Sequence, residues 1–191
     1  MDDNILEFFR FAVYSKLKTL FYFLFFTLIL TGCTIVNVNN TFVGKVVGCN
    51  SIRHVNGTGI ELLCLGDDSV INLDSLRGPM LLNIWGSWCG PCKDEIPYLR
   101  KFYDKYNEKV QVVGLDVEEP NKEAAKPFIE SNGLVWPSLF DPDGRTRKVI
   151  GMGVPVTWFI DENGKVIHKK IGAFKDYKEL EDLVGKYFNL R

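Results

Sequence analysis

At 191 residues, 46% hydrophobic and 25% charged, the chain has room for one well-cored domain and an appendage. Its 23 Lys and Arg nearly cancel 24 Asp and Glu, so no basic face is implied and no nucleic-acid partner is expected. No internal repeat or low-complexity tract interrupts it.

Lys16 and Lys18 precede an uncharged stretch from Thr19 to Gly44, whose section Leu20 to Leu30 is almost wholly apolar. A basic flank, an apolar core of about 11 residues and a small-residue ending make a secretory signal. The ending, Leu30-Thr31-Gly32-Cys33, resembles the lipobox of bacterial lipoproteins, which implies cleavage before Cys33 and lipidation of its thiol. The alternative is an uncleaved signal anchor running into Thr34-Ile35-Val36. A spanning helix wants about 20 apolar residues, however, and Asn37, Asn39 and Asn40 come early for that. Either reading leaves the domain outside the cytoplasm, held at the membrane. The expected organisation is a signal over 1–32, a tether over 33–57 and a folded domain over 58–191. The first twelve residues, with Asp2-Asp3, are long for a basic end and raise a start near Val13 as a hypothesis. Recovery of Asp2-containing peptides would exclude it.

Residues 34–48 are rich in Asn, Thr and Val without helical period and read as tether, with a strand over Val43 to Val47 as the alternative. Ile60-Glu61-Leu62-Leu63-Cys64 and Val70-Ile71-Asn72-Leu73, parted by Gly66-Asp67-Asp68, predict a hairpin. Met80 to Trp85 is an apolar run that reads as a buried strand. A helix is predicted from about Cys89 to Asn107, with Pro91 tolerated in its first turn and Pro97 expected to kink it. Ile96, Leu99, Tyr103 and Tyr106 share its apolar face. Val110 to Val117 is a second buried strand, and Asn121 caps a helix through Ser131 that Gly133 stops. Leu139-Phe140 is a short strand before the turn Asp141-Pro142-Asp143-Gly144. Val156 to Ile160 and Lys165 to Ile171 form a hairpin around Asp161-Glu162-Asn163-Gly164. Asp176 with Glu179 makes a capping pair for the last helix, with Tyr177, Leu180, Val184 and Tyr187 facing the core. This order predicts an α/β layered sheet with helices on both sides.

Cys89-Gly90-Pro91-Cys92 falls where the strand hands over to the helix N-terminus. Free N–H groups and the positive end of the helix dipole favour a thiolate there, and a second cysteine three positions on can close a disulfide. Trp88 to Cys92 is the active-site motif of thioredoxins. Asn83 in place of their buried Asp, Glu95 and Pro97 after the second cysteine, and Val154-Pro155-Val156-Thr157-Trp158-Phe159-Ile160-Asp161 with Gly164 narrow the match. From Gly59 to Phe188 the chain resembles the TlpA/ResA-like branch of the redoxin superfamily, exported and membrane-tethered thiol–disulfide oxidoreductases. The resemblance implies a thioredoxin fold, a central mixed sheet flanked by helices, with an N-terminal hairpin extension and an inserted βα element. It implies no cofactor and no metal. A zinc site would need two more ligands, and the remaining cysteines and histidines stand far apart.

Cys89 is the expected attacking thiolate and Cys92 the resolving thiol. Glu95, three residues after Cys92, shares its helical face and can hold the proton that exchange requires; a solvated helix Glu is the bland alternative. By resemblance, Glu119 is a second acidic residue near the site, against an ordinary loop charge. Trp88 shields the pair, Pro155 is a cis-proline opposite the motif, and Val154 offers backbone groups to an incoming peptide. With Cys33 lipidated, Cys49 and Cys64 remain. They are expected to form a structural disulfide, the alternative being two buried free thiols. Expected partners are client proteins with cysteine thiols or disulfides and an integral-membrane electron donor or re-oxidase, with the protein a monomer. Gly-Pro between the cysteines matches strongly reducing thioredoxins, at about −270 mV, and so favours a reductant serving apocytochrome c or other exported thiols. An oxidant is the alternative. A peroxiredoxin-type peroxidase would need Thr or Ser where Gly86 stands, and a non-catalytic binding lipoprotein would not need an intact CxxC.

Overall fold

A computed structural model describes residues 43–190 with the exception of Met152. The chain divides into two units, Met1–Asn40 and Thr41–Arg191, and the description concerns the second. The expected signal, Cys33 and the first part of the tether lie outside the described residues. No helix among the described residues is long and apolar enough to cross a membrane.

In chain order the elements are β1 (Glu61–Cys64), β2 (Val70–Asn72), β3 (Met80–Trp85), α1 (Gly90–Tyr106), β4 (Gln111–Val117) and α2 (Lys122–Asn132). Then come β5 (Ser138–Asp141), a single-turn α3 (Arg147–Ile150), β6 (Val156–Ile160), β7 (Val166–Ile171) and α4 (Tyr177–Phe188). One seven-stranded sheet runs β2-β1-β5-β4-β3-β6-β7. β3, β4 and β5 are parallel, and the remaining neighbours are antiparallel. The thioredoxin fold is thus present, with the β1–β2 hairpin and the α2–β5 insertion extending the sheet beyond β4.

β3 is central, and all six of its residues are buried. Alternation along a strand sends Leu81 and Trp85 to one face and Met80, Leu82 and Ile84 to the other. The long helices share the first face. Ile96, Leu99 and Phe102 of α1, Ala125, Phe128 and Ile129 of α2, and Leu180 and Val184 of α4 form one core cluster with Leu81 and Trp85. The Trp85 ring stacks on Phe128 at 5.1 Å, which ties α2 to the central strand. On the second face the short α3 contributes half-buried Ile150 to a cluster with Ile84, Val117 and Trp158. Sequence periodicity marks helices but not this sorting between faces.

Residues 43–57, expected as tether, instead pack on the domain. Gly44 and Lys45 donate backbone hydrogen bonds to the carbonyls of Glu130 and Leu134, at 2.8 and 2.7 Å. A Cβ at Gly44 would lie 1.8 Å from the Ile129 carbonyl oxygen, so only glycine fits this approach. Cys49 and Ile52 are buried, and Cys49 is bonded to Cys64 of β1. A covalent bond at Cys49 and buried Ile52 fix a stretch whose composition alone reads as linker.

The helix ends follow their sequence signals. Asn121 accepts from the Ala124 N–H at 3.0 Å, and Gly133 closes α2 in the left-handed conformation. Asn121→Ala is expected to cost about 1 kcal/mol in urea unfolding, the usual loss of one N-cap. Asp176 accepts from the Glu179 N–H at 2.8 Å, while Glu179 reaches back to the Lys175 N–H at 2.7 Å, one residue past the position of a reciprocal box. Two X-Pro bonds are cis, Val154–Pro155 and Gly78–Pro79.

Candidate active site

β3 ends at Trp85, and a tight turn carries the chain to α1, with the Cys89 N–H donating to the Gly86 carbonyl at 3.0 Å. Gly86 is needed here, because a Cβ would stand 2.7 Å from the Trp88 indole that folds over it. Trp88 stays 56% exposed beside the motif. Cys89 is the N-cap of α1, in extended conformation, and its Sγ accepts from the Cys92 N–H at 3.1 Å. Cys89 and Cys92 are joined in a disulfide and both are buried. In the dithiol form, Cys89 Sγ at this cap meets the unpaired N–H groups of the first turn, which favour its thiolate over the thiol.

Glu95 lies one turn beyond Cys92 and is 1% exposed. Asn83 Nδ2 donates to its Oε1 at 2.7 Å and the Phe174 N–H to its Oε2 at 3.1 Å, while the same Asn83 amide donates to Thr157 Oγ1 at 3.0 Å. Burial pushes the Glu95 carboxyl up to about 7, against the pull of these donors and of Lys170. A group poised near neutrality can take or give a proton at small cost.

Glu119 is reached through a strained turn. Glu118 adopts φ 60°, unusual for a residue with a Cβ, and this turns Glu119 back toward the motif. Glu119 Oε1 accepts from the Ser87 N–H at 2.6 Å, and the side chain is buried. It therefore braces the Trp88–Cys89 turn, whereas Glu95 is held from Asn83 and Phe174. The two acidic residues occupy separate places, one under the helix and one under the turn.

Sequence reading passed over Asp116. It is fully buried in β4, paired in register with Trp85 and Phe140, and neither carboxyl oxygen makes a hydrogen bond of good geometry among the described residues. Burial first, and then the charge of Glu119, push it up to about 8. An acidic residue inside an otherwise buried apolar strand was the available signal. Because the folded carboxyl holds its proton longer than the unfolded one, its contribution to stability is complete below about pH 4 and is lost as pH rises to 8. Asp116→Asn is expected to match wild type near pH 4 and to gain about 1–2 kcal/mol at pH 8, read by urea titration at both pH values. The amide's missing partners cost the same at both pH values, so the change between the two measurements reads the carboxyl's ionisation alone.

Val154 and Trp88 line one cleft of about 150 Å³ together with Ile84, Val117, Ile150 and Arg147, and Glu118 pairs with Arg147 at its rim. Val154, Pro155 and Ile171 line the adjoining hollow. The fold thus brings Trp88 and Val154 to one cleft, with Cys89 buried next to Trp88 in the chain and Glu95 and Glu119 also buried.

The geometry agrees with the comparisons. The Redoxin family matches residues 50–184. Over 119 residues the chain is 39% identical to thiol-disulfide oxidoreductase ResA of Bacillus thuringiensis, covering 61% of this chain and 68% of that one. It is 28% identical to the thioredoxin-like protein YneN of Bacillus subtilis, over 81% of this chain and 90% of that one. Among solved structures it is similar to StoA of Bacillus subtilis, with TM-score 0.51, 25% identity and 74% and 97% of the two chains covered. With a buried, bondable cysteine pair capping the helix that leaves a central strand, the chain belongs to the Redoxin family, as a TlpA/ResA-like thiol–disulfide oxidoreductase.

Proposed function

We propose that this oxidoreductase works outside the cytoplasm, tethered to the membrane through lipidated Cys33, and reduces disulfides of exported client proteins such as apocytochrome c. The observation that carries the exchange chemistry is Cys89 capping α1 with Cys92 closed onto it. The signal-like N-terminus and its Leu30-Thr31-Gly32-Cys33 ending support the location, and Gly90-Pro91 between the cysteines supports the direction.

The Cys89 thiolate attacks one sulfur of a client cystine. That S–S bond breaks, a mixed disulfide forms and the client's second sulfur leaves as a thiol after taking a proton. Cys92 then gives its proton to the Glu95 carboxylate and attacks Cys89 Sγ. The client's first sulfur leaves, so two electrons have passed from the dithiol to the client. Trp88 and Val154 hold the client segment against the cleft, and Pro155 sets the Val154 backbone for pairing with it. Glu119 keeps the turn that presents Cys89 in place. An integral-membrane donor restores the dithiol, and the protein acts as a monomer.

The test of direction is the equilibrium potential of Cys89/Cys92 against glutathione or dithiothreitol. A value of about −270 mV is expected for the reductant, and one of about −120 mV would make the protein an oxidant. Globomycin-sensitive processing of the precursor tests the anchor; a mature chain that retains residues before Cys33 would refute lipidation.

A further inference from the structure

Across three strands one polar row runs beneath Glu95. Asn83 of β3 is in register with Thr157 of β6, which is in register with Lys170 of β7. Asn83 donates to both Thr157 Oγ1 and Glu95 Oε1, as described above. Lys170 ends the row in an unusual way. Its Nζ donates to three successive carbonyls, Ile171 at 3.3 Å, Gly172 at 3.3 Å and Ala173 at 3.0 Å. It also lies 3.7 Å from Glu179, and its side chain is only 16% exposed.

An ammonium drawn into three backbone carbonyls curls the chain around itself. The curled turn makes two contacts that matter for the site. The Phe174 N–H, at its end, donates to Glu95 Oε2, and the Gly172 N–H donates to the Pro155 carbonyl at 2.9 Å. Gly172 takes φ 78°, a conformation that suits glycine and lets the turn close. One lysine therefore organises the strap that touches both the buried carboxyl and the proline beside the peptide-binding residue.

We propose that Lys170 is a positioning residue for Glu95: its ammonium shapes the turn whose Phe174 amide grips the carboxyl, and its charge keeps that carboxyl able to ionise while buried. This rests on the reading of Glu95 as proton acceptor for Cys92. The charged groups that act on Glu95 from the packed elements are Lys170 on β7, which favours the carboxylate, and Glu179 at the start of α4, which opposes it. Glu179 lies against Lys170 itself, so the lysine also offsets the repulsion that Glu179 would otherwise exert. Phe174, with its ring centroid 5.9 Å from Nζ, seals the turn from solvent at 3% exposure.

The test compares wild type with Lys170→Met, Lys170→Arg, Glu95→Gln and the double variant Glu95→Gln/Lys170→Met in the purified protein. Two readouts are used: the carbon-13 titration of the Glu95 carboxyl, and the pH profile of the resolving step from a preformed Cys89 mixed disulfide. Lys170→Met is expected to raise the Glu95 midpoint by about one pH unit and to slow resolution about fivefold at pH 7, with recovery by pH 9. Lys170→Arg, which keeps the charge, is expected to return both toward wild type. In the Glu95→Gln background, Lys170→Met is expected to change the profile no further. An unmoved Glu95 midpoint in Lys170→Met, with Glu95→Gln slow, would overturn the inference about Lys170 alone. Equal slowing by Lys170→Met at every pH, with or without Glu95, would reduce the lysine to a structural role and overturn it too. A wild-type rate and profile in Glu95→Gln would instead refute the proton-acceptor reading, and with it the kinetic consequence of Lys170.

Discussion

Cys89→Ser is expected to abolish insulin reduction, leaving the rate at the level of dithiothreitol alone. The hydroxyl cannot form the mixed disulfide, the Cys92 thiol left free is 1% exposed and shielded from a protein cystine, and Cys49 and Cys64 are buried and bonded to each other. Cys92→Ser is expected to behave differently. Its Cys89 still attacks, but the adduct has no resolving sulfur, so the protein should accumulate as mixed disulfides that migrate as higher-mass species on non-reducing gels. The contrast assigns the two roles. If Cys92→Ser lost alkylation by low concentrations of iodoacetamide at pH 7 while Cys89→Ser kept it, attack would start from the other cysteine and the N-cap argument would fail.

The second large effect concerns stability. Replacing both Cys49 and Cys64 by Ala is expected to cost about 3 kcal/mol, the chain-entropy value for a closed loop of this length. The two cysteines are 15 residues apart with Cα atoms 5.9 Å from each other. The bond does more than shorten the unfolded chain. The Cys49 N–H donates to Asp67 Oδ2 at 2.8 Å, and Asp67 in turn accepts from the Ser69 N–H at 2.9 Å. The bridge therefore fixes the 43–57 segment against the β1–β2 turn. Guanidinium unfolding of the double variant measures the loss, and exchange activity should survive, since the bridge is far along the sheet from Cys89. An unchanged midpoint would show the pair to be dispensable for the fold.

Much of this was legible in the residues. The strand–CxxC–helix handover, the Asn121 cap with its Gly133 stop and the hairpin at Asp161–Gly164 are local signals, each set by a few neighbouring side chains. The site's foundations were harder to read because they are made by residues distant in sequence. Glu95 is a helix residue in a 3.6-residue pattern, and nothing local says that Asn83 and Phe174 close over it. Asp116 hides in an apolar strand, and its neighbour Glu119 reaches Ser87 only because Glu118 turns the backbone. The stretch 43–57 misled for the opposite reason. Its polar composition suits a linker, but a disulfide, a glycine fitted against Ile129 and buried Ile52 overrule composition.

The Cys49–Cys64 bridge also decides how the domain would bear load. A pull applied ahead of residue 43 can strip the two backbone hydrogen bonds of Gly44 and Lys45, but peeling halts at Cys49, where the strain passes through sulfur into β1. Beyond that point the load falls on the pairings of β1 with β2 and β5. A reducing milieu would remove the stop, so the domain's resistance to such a pull would track the oxidation of a bond set apart from the Cys89–Cys92 pair.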